Sequence, residues 1–225
     1  MDWEALFLTL KLDLVVCGLL LLLGVPIALW LAASRWRWKF LLEAVVALPL
    51  VLPPTVLGFY MLLAMGPKSP VGRAYFSIRG HGLPFTFGGL VIASMVYSLP
   101  FMVQPIAAAF ASVDPKLTAA SAVLGASRWR TFFRVVLPLS YSGLLTGVVL
   151  TFAHTLGEFG VVLMVGGNIP GVTRTVSISI YDNVQALDYS SAGQTSLVLL
   201  VASFVILSIV YAVNRNGAII WPARR

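Results

Sequence analysis

Residues 12–33 read LDLVVCGLLLLLGVPIALWLAA, and the fold class turns on that stretch. As a helix rising about 1.5 Å per residue it crosses the roughly 30 Å of a bilayer's hydrocarbon core. The flank before it carries Asp2 and Glu4 and no basic cluster. The run also exceeds the roughly 7–15 apolar residues of a secretory leader, so a retained span is expected. Four further apolar runs follow at about 41–65, 87–111, 139–165 and 196–213. The expectation is an all-α, polytopic integral membrane protein with five transmembrane helices, forming one membrane domain over 1–225. A sixth, short or re-entrant helix is left open, either in 3–10 or in the proline-broken second run.

Composition agrees. Of 225 residues, 59% are hydrophobic and 10% charged, against roughly 45–50% and about 25% in soluble domains. So little charge cannot solvate a water-facing surface, which excludes an ordinary soluble domain. Cys17 is the single cysteine, so no intramolecular disulfide, cysteine-rich zinc site or redox pair is available.

The net charge of +7 raises the question of acidic partners, and its placement answers it. On one side of the five spans lie Arg35, Arg37, Lys39, Lys116, Arg128, Arg130, Arg134, Arg215, Arg224 and Arg225; on the other lie Lys11, Lys68, Arg73, Arg79 and Arg174. Lysine and arginine accumulate in cytoplasmic loops, so the richer side is assigned to the cytoplasm, with the N-terminus outside and the C-terminus inside. No nucleic acid is needed to explain the charge. Trp36, Trp38, Trp129 and Trp221 stand beside basic residues at span ends, as interfacial anchors do.

Two spans carry helix breakers. Gly24-Val25-Pro26 is expected to kink the first, and residues 48–54, LPLVLPP, to break the second. Prolines remove backbone donors that lipid cannot replace, so such backbone belongs against protein or beside a wet cavity. Gly143 and Gly147 make a GxxxG pattern suited to close helix approach.

Residues 113–138, VDPKLTAASAVLGASRWRTFFRVVLP, form the one polar stretch with strong internal order. Asp114-Pro115 reads as an N-cap with proline at the first helical position, and Gly125 as a stop. Ser127 can cap a second helix whose Trp129, Phe132, Phe133 and Val136 recur at i, i+3, i+4 and i+7, with Arg128, Arg130 and Arg134 off that stripe. A helix, a glycine turn and an amphipathic helix at the membrane surface suit either a docking partner or the bilayer.

This stretch resembles the EAA loop of ABC-importer permease subunits. Ala119, Ala120 and Ser121 stand at the Glu-Ala-Ala positions, Gly125 at the glycine, Val135 at the branched aliphatic, and Leu137-Pro138 at the end. Ala119 replaces the usual glutamate and Ser121 the usual alanine. Residues 156–160 (LGEFG), 167–171 (GNIPG) and 173–175 (TRT), with the 48–54 run, resemble molybdate permease subunits; tungstate and sulfate permeases share the glutamate motif and the Gly-Asn-Ile turn. The resemblance implies a coupling loop of Ala119, Ala120, Ser121, Gly125, Ala126, Arg128, Leu137 and Pro138 that docks into a cytoplasmic ATPase. It also implies a second copy of the chain, an ATPase dimer, an extracytoplasmic oxyanion-binding protein, and a place in the cytoplasmic membrane.

The chain itself offers no nucleotide chemistry. The nearest candidate for a phosphate loop ends in Lys68-Ser69, but Leu62 and Pro67 occupy its glycine positions. No cofactor is expected in this chain, and ATP with magnesium would be held by the partner. His154 and Glu158 are read as an ionisable pair one turn apart on one helix face. Two ligands are too few for a metal site; a proton relay and a structural or cavity-facing cluster remain, with Asn168 added as a further candidate for pathway or gating. No lysine or arginine falls at membrane depth, so an oxyanion pathway is expected to bind weakly. The competing classes are an ATP-independent channel or secondary transporter, which leaves the ordered 113–138 loop unexplained, and an intramembrane enzyme, for which no nucleophile is found.

Overall fold

The computed structural model describes residues 2–220, which are helical throughout their regular structure. Trp221, Arg224 and Arg225 lie outside the described residues. Helix α1 spans Trp3–Ala33, so residues 3–10 are its first turns and make no separate element. Asp2 caps it by accepting the Ala5 amide at 3.0 Å. One stripe, including Leu8, Leu12, Val16, Leu20, Ala28 and Leu31, is buried, while Leu14 and Leu22 face outward. That is the pattern of a helix with protein on one side and lipid on the other. The helix continues through Pro26.

Helix α5, Phe87–Ala111, matches the third expected span and forms the centre of the bundle. Lys11 Nζ lies 4.8 Å from the Phe87 ring centroid, and Gly24 sits against Met102 and Val103. Helices α1 and α5 therefore run parallel, and the chain between them must cross back. It does so through α2 (Lys39–Val51) and α3 (Pro54–Met65), which meet at 115°. The cause is local: proline excludes the α conformation from the residue before it, and Leu52 and Pro53 are extended, with ψ of 136° at each. Neither half alone reaches about 30 Å at about 1.5 Å per residue. Helix α4, Pro70–Arg79, capped by Ser69, then returns the chain to the start of α5.

Helices α6 (Pro115–Val123), α7 (Arg128–Thr131), a π turn (Phe132–Val136) and α8 (Leu137–Leu139) form the polar loop. Helix α9, Tyr141–Leu156, leaves the arm 128–139 at 69° and runs antiparallel to α5. Gly143 faces Ala109, a Cβ on Gly147 would stand 2.9 Å from the Met102 carbonyl, and Ser98 bonds Thr155. The fourth expected span is not one helix. It stops at Leu156 and restarts as α10, Gly160–Gly166. His154 and Glu158 therefore do not share a helical face: His154 is in the last turn of α9, and Glu158 is in the elbow beyond it.

Helix α11, Val176–Gln185, precedes α12, Tyr189–Ile220. Asp188 accepts the Ser191 amide at 3.1 Å, and the Ser191 bonds hold its carboxyl below the ordinary aspartate range. Counting each bent pair as one crossing gives five spans and places the two ends of the bundle's chain on opposite faces. The GxxxG pair thus serves packing within the chain, between α9 and α5. Gly143→Val should force these helices apart and cost about 1–3 kcal/mol, lowering the melting temperature in detergent. Gly18→Ala, where an added Cβ meets nothing within 4 Å, should leave it unchanged.

Candidate functional site

Three polar assemblies stand out on this frame. The first is the loop 113–138. Asp114 caps α6 through the Lys116 amide at 2.9 Å. At its end the Gly125 amide bonds the Ala122 carbonyl at 3.0 Å and the Ala126 amide bonds the Ser121 carbonyl at 3.1 Å. This is the paired C-terminal closure that requires a left-handed residue, and Gly125 supplies it with φ of +75°. Ser127 caps α7 by accepting the Arg130 amide. Ser121 Oγ lies 2.9 Å from Thr131 Oγ1, so the residue departing from the usual alanine pins the two arms together.

The aromatic stripe divides. Phe132 and Val136 pack on the bundle, with Phe132 edge-on to Phe110. Trp129 and Phe133 stack on each other and face out. The π turn is the reason: its wider turn breaks the i, i+3, i+4 register that a pure α-helix would keep. With Val123 at 88% exposure and Leu124 at 86%, the loop presents an apolar tip. Ala119, Ala120, Gly125, Arg128 and Pro138 are also exposed, whereas Ser121, Ala126 and Leu137 are half-buried.

The second assembly is a cavity of about 590 Å³ where the two helix breaks meet. Pro54 opens α3 and Gly160 opens α10; a Cβ on Gly160 would stand 2.7 Å from Pro54 Cβ, so glycine is needed for the elbows to touch. Thr55, Tyr97, His154 and Glu158 supply the polar lining. His154 stacks on Phe101 at 4.0 Å, and its Nδ1 lies 2.9 Å from Ser98 Oγ, which also meets Thr155 Oγ1 at 2.9 Å. Among the described residues no lysine or arginine lines this cavity.

The third is a clasp at the opposite end from the loop. Arg174 Nε donates to Asn168 Oδ1 at 2.7 Å, and its guanidinium lies 3.4 Å from Asp182 and 3.9 Å from Asp2. Asn168 in turn donates to Asp182, and Ser179 to Asp2. Asn168 is thus fixed in this clasp and is not among the residues lining the cavity.

Residues 24–216 match the family described as the inner membrane component of binding-protein-dependent transport systems. The chain belongs to that family. A molybdenum transport system permease protein ModB from Azotobacter vinelandii is 50% identical over 217 residues, 96% of each chain. The corresponding ModB of Escherichia coli K12 is 40% identical over 184 residues, 82% of this chain and 80% of that one. The inward-facing MetNI methionine ABC transporter superposes with a TM-score of 0.76 at 16% identity, covering 96% of each chain. That last likeness concerns the fold alone.

One buried group escaped the sequence reading. Asp13 is wholly buried in α1, and neither of its oxygens has a hydrogen-bond partner. The signal was present: an acid within an apolar run marks a special position by its cost alone. Only the placement of the span's start near residue 12 made it look like a flank.

Arg174→Ala should release Asp2, Asn168 and Asp182 together, raising amide exchange at residues 2–6 and 167–175. Because the pairs are partly exposed, the loss of stability should stay near about 1 kcal/mol and shrink in high salt. Thermal melts at two ionic strengths check this.

Proposed function

We propose that this chain is the permease subunit of an ATP-driven importer that moves molybdate across the cytoplasmic membrane, working as two copies on a pair of ATPase subunits. The observation that carries the reading is the 50% identity with a molybdenum permease over 96% of both chains. The loop supports the ATPase partner. Val123, Leu124 and Trp129 are exposed apolar side chains on a capped, hydrogen-bonded scaffold, which is what a docking element requires. The chain has no phosphate loop, so ATP and its magnesium belong to that partner. An extracytoplasmic binding protein would deliver the anion.

Orientation follows from charge. Arg35, Arg37 and Lys39, at the end of α1, share one face of the bundle with Lys116, Arg128, Arg130 and Arg134, at the end of α5. The positive-inside rule puts that face in the cytoplasm, with the N-terminus outside and the C-terminus inside. Arg174 and its clasp then lie outside.

The anion's path runs along the cavity at the two elbows. Thr55, Tyr97 and His154 offer neutral hydrogen-bond groups there. A divalent oxyanion meeting dipoles and no fixed cation is held briefly and released, and selectivity rests with the binding protein.

Reconstitution with the cognate ATPase and binding protein should give uptake in which molybdate outcompetes sulfate; a preference for sulfate would change the anion and leave the class. For the loop, Gly125→Ala introduces no clash, since nothing lies within 4 Å, but it imposes the left-handed cost of about 1–2 kcal/mol. Substrate-stimulated ATP hydrolysis should fall in Gly125→Ala and recover in Gly125→Asn, which tolerates φ above zero. Equal coupling in all three proteins would remove the glycine turn from the docking role.

A further inference from the structure

Two carboxyl groups in this chain have no counter-charge among the described residues. Asp13 on α1 and Glu158 in the elbow after α9 are 0% and 4% exposed. None of their four oxygens finds a hydrogen-bond partner. Two hydroxyls nearby are in the same condition. Ser94 on α5 lies beside the Glu158 carboxyl, and Ser94 and Thr151 on α9 are both fully buried and unpartnered.

The register of the helices brings these groups together. The Cys17 thiol lies 3.8 Å from the Val148 carbonyl, which sets α1 level with α9. The two helices run antiparallel, so Asp13, one turn before Cys17, stands level with Thr151, near one turn after Val148. Ser98 bonds Thr155 and α5 runs antiparallel to α9, so Ser94, one turn before Ser98, stands level with Glu158, three residues after Thr155, and Asp13 approaches Glu158 from α1. The other titratable side chains around them are Cys17 from α1, Tyr97 from α5 and His154 from α9.

The rest of the acidic residues behave differently. Asp2 and Asp182 share Arg174, and Glu43 meets Lys39 at 3.4 Å. Asp114 and Asp188 cap helices at the surface, and Glu4 is exposed. Only Asp13 and Glu158 are withdrawn from both water and cations, and among the described residues neither forms an ion pair. Burying an ionised carboxylate unpaired is strongly unfavourable, and leaving a buried acceptor unbonded adds a further cost for each group. Neutral water could fill hydrogen bonds but would leave both charges uncompensated. The missing partner must bring positive charge to a site made of oxygen atoms alone, which suits a hard, small cation.

We infer that Asp13, Ser94, Thr151 and Glu158 form a buried site for monovalent cations, protons or Na⁺, that offset the two carboxylates and bridge α1, α5 and the elbow after α9. The site adjoins the proposed anion path at Glu158, which also borders the cavity, and does not depend on which anion is carried. Its occupancy allows two acids to lie beside an anion pathway without presenting their full charge to it.

The test uses the full chain in detergent, with infrared spectra and thermal melts recorded in NaCl and in choline chloride at matched ionic strength. If Na⁺ is the occupant, it shifts the carboxylate bands and raises the melting temperature by several degrees at fixed pH. If a proton is the occupant, a carboxylic-acid carbonyl band persists at neutral pH in both salts. The partnered and exposed acids do not contribute to that band. Asp13→Asn and Glu158→Gln should each diminish whichever signature is found. A wild-type protein showing neither the acid band nor any response to Na⁺ overturns the assignment, whatever the variants do.

Discussion

A bilayer supplies no hydrogen bonds. Every amide and carbonyl at membrane depth must be satisfied by the chain itself, and any interruption of a helix must be sheltered by protein or by a wet cavity. Much of this architecture follows from how that constraint is met at two interruptions. Leu52 and Pro53 open the second crossing, residues 157–159 open the fourth, and the two meet where Gly160 touches Pro54. Each elbow is hidden by the other. The space left between them is the cavity, largely apolar with a few polar side chains on its wall, so the features that could not be tolerated facing lipid define the interior of the molecule.

Holding the elbows together requires a rigid centre. Helix α5 provides it, with α1 packed parallel and α9 antiparallel against it and against each other. Small residues set the distances: Gly24 against Met102, Gly143 against Ala109 and Gly147 against the Met102 carbonyl. Hydrophobic burial adds little to association between helices in lipid, so close packing and a few interhelical hydrogen bonds must hold them. The Ser98–Thr155 and Ser98–His154 contacts are of that kind. The same α5 leads directly into α6, and the arm carrying Trp129 leads into α9. Any force on the exposed tip at Val123 and Leu124 therefore reaches the two central helices through short, well-capped connections.

The crossings were legible because lipid selects for long apolar runs, and α5 begins and ends where its run does. The glycine turn at 125 was legible because caps and left-handed closures depend on neighbours in sequence. What escaped depends on tertiary context. The break at 157–159 has no proline to announce it; Gly157 and Gly160 permit it, and packing against Pro54 takes advantage of it. The π turn at 132–136 redirected Phe133 away from Phe132 and Val136, a change of register that periodicity alone cannot reveal. Asn168 looked like a pathway residue from its motif, yet its partners Arg174 and Asp182 stand six and fourteen residues further on. Asp13 needed only a stricter reading of its apolar surroundings.

The scarcity of charge is finally a statement about rate. A lysine fixed about 4 Å from a unit anion contributes about 4 kcal/mol at an effective dielectric near 20, and about twice that for a divalent ion. Every 1.4 kcal/mol is a factor of about ten in affinity. One such cation in the cavity would therefore hold a divalent oxyanion roughly a hundred-thousandfold or more too tightly for rapid release. Thr55, Tyr97 and His154 impose no such trap. The opposite hazard is repulsion from Glu158, which lines the same cavity and has Asp13 behind it. Two bare carboxylates would close the path to an anion as firmly as a lysine would block its exit. The path proposed for a divalent anion thus needs a lining free of cations and buried acids whose charge is offset, and these are two aspects of one electrostatic requirement.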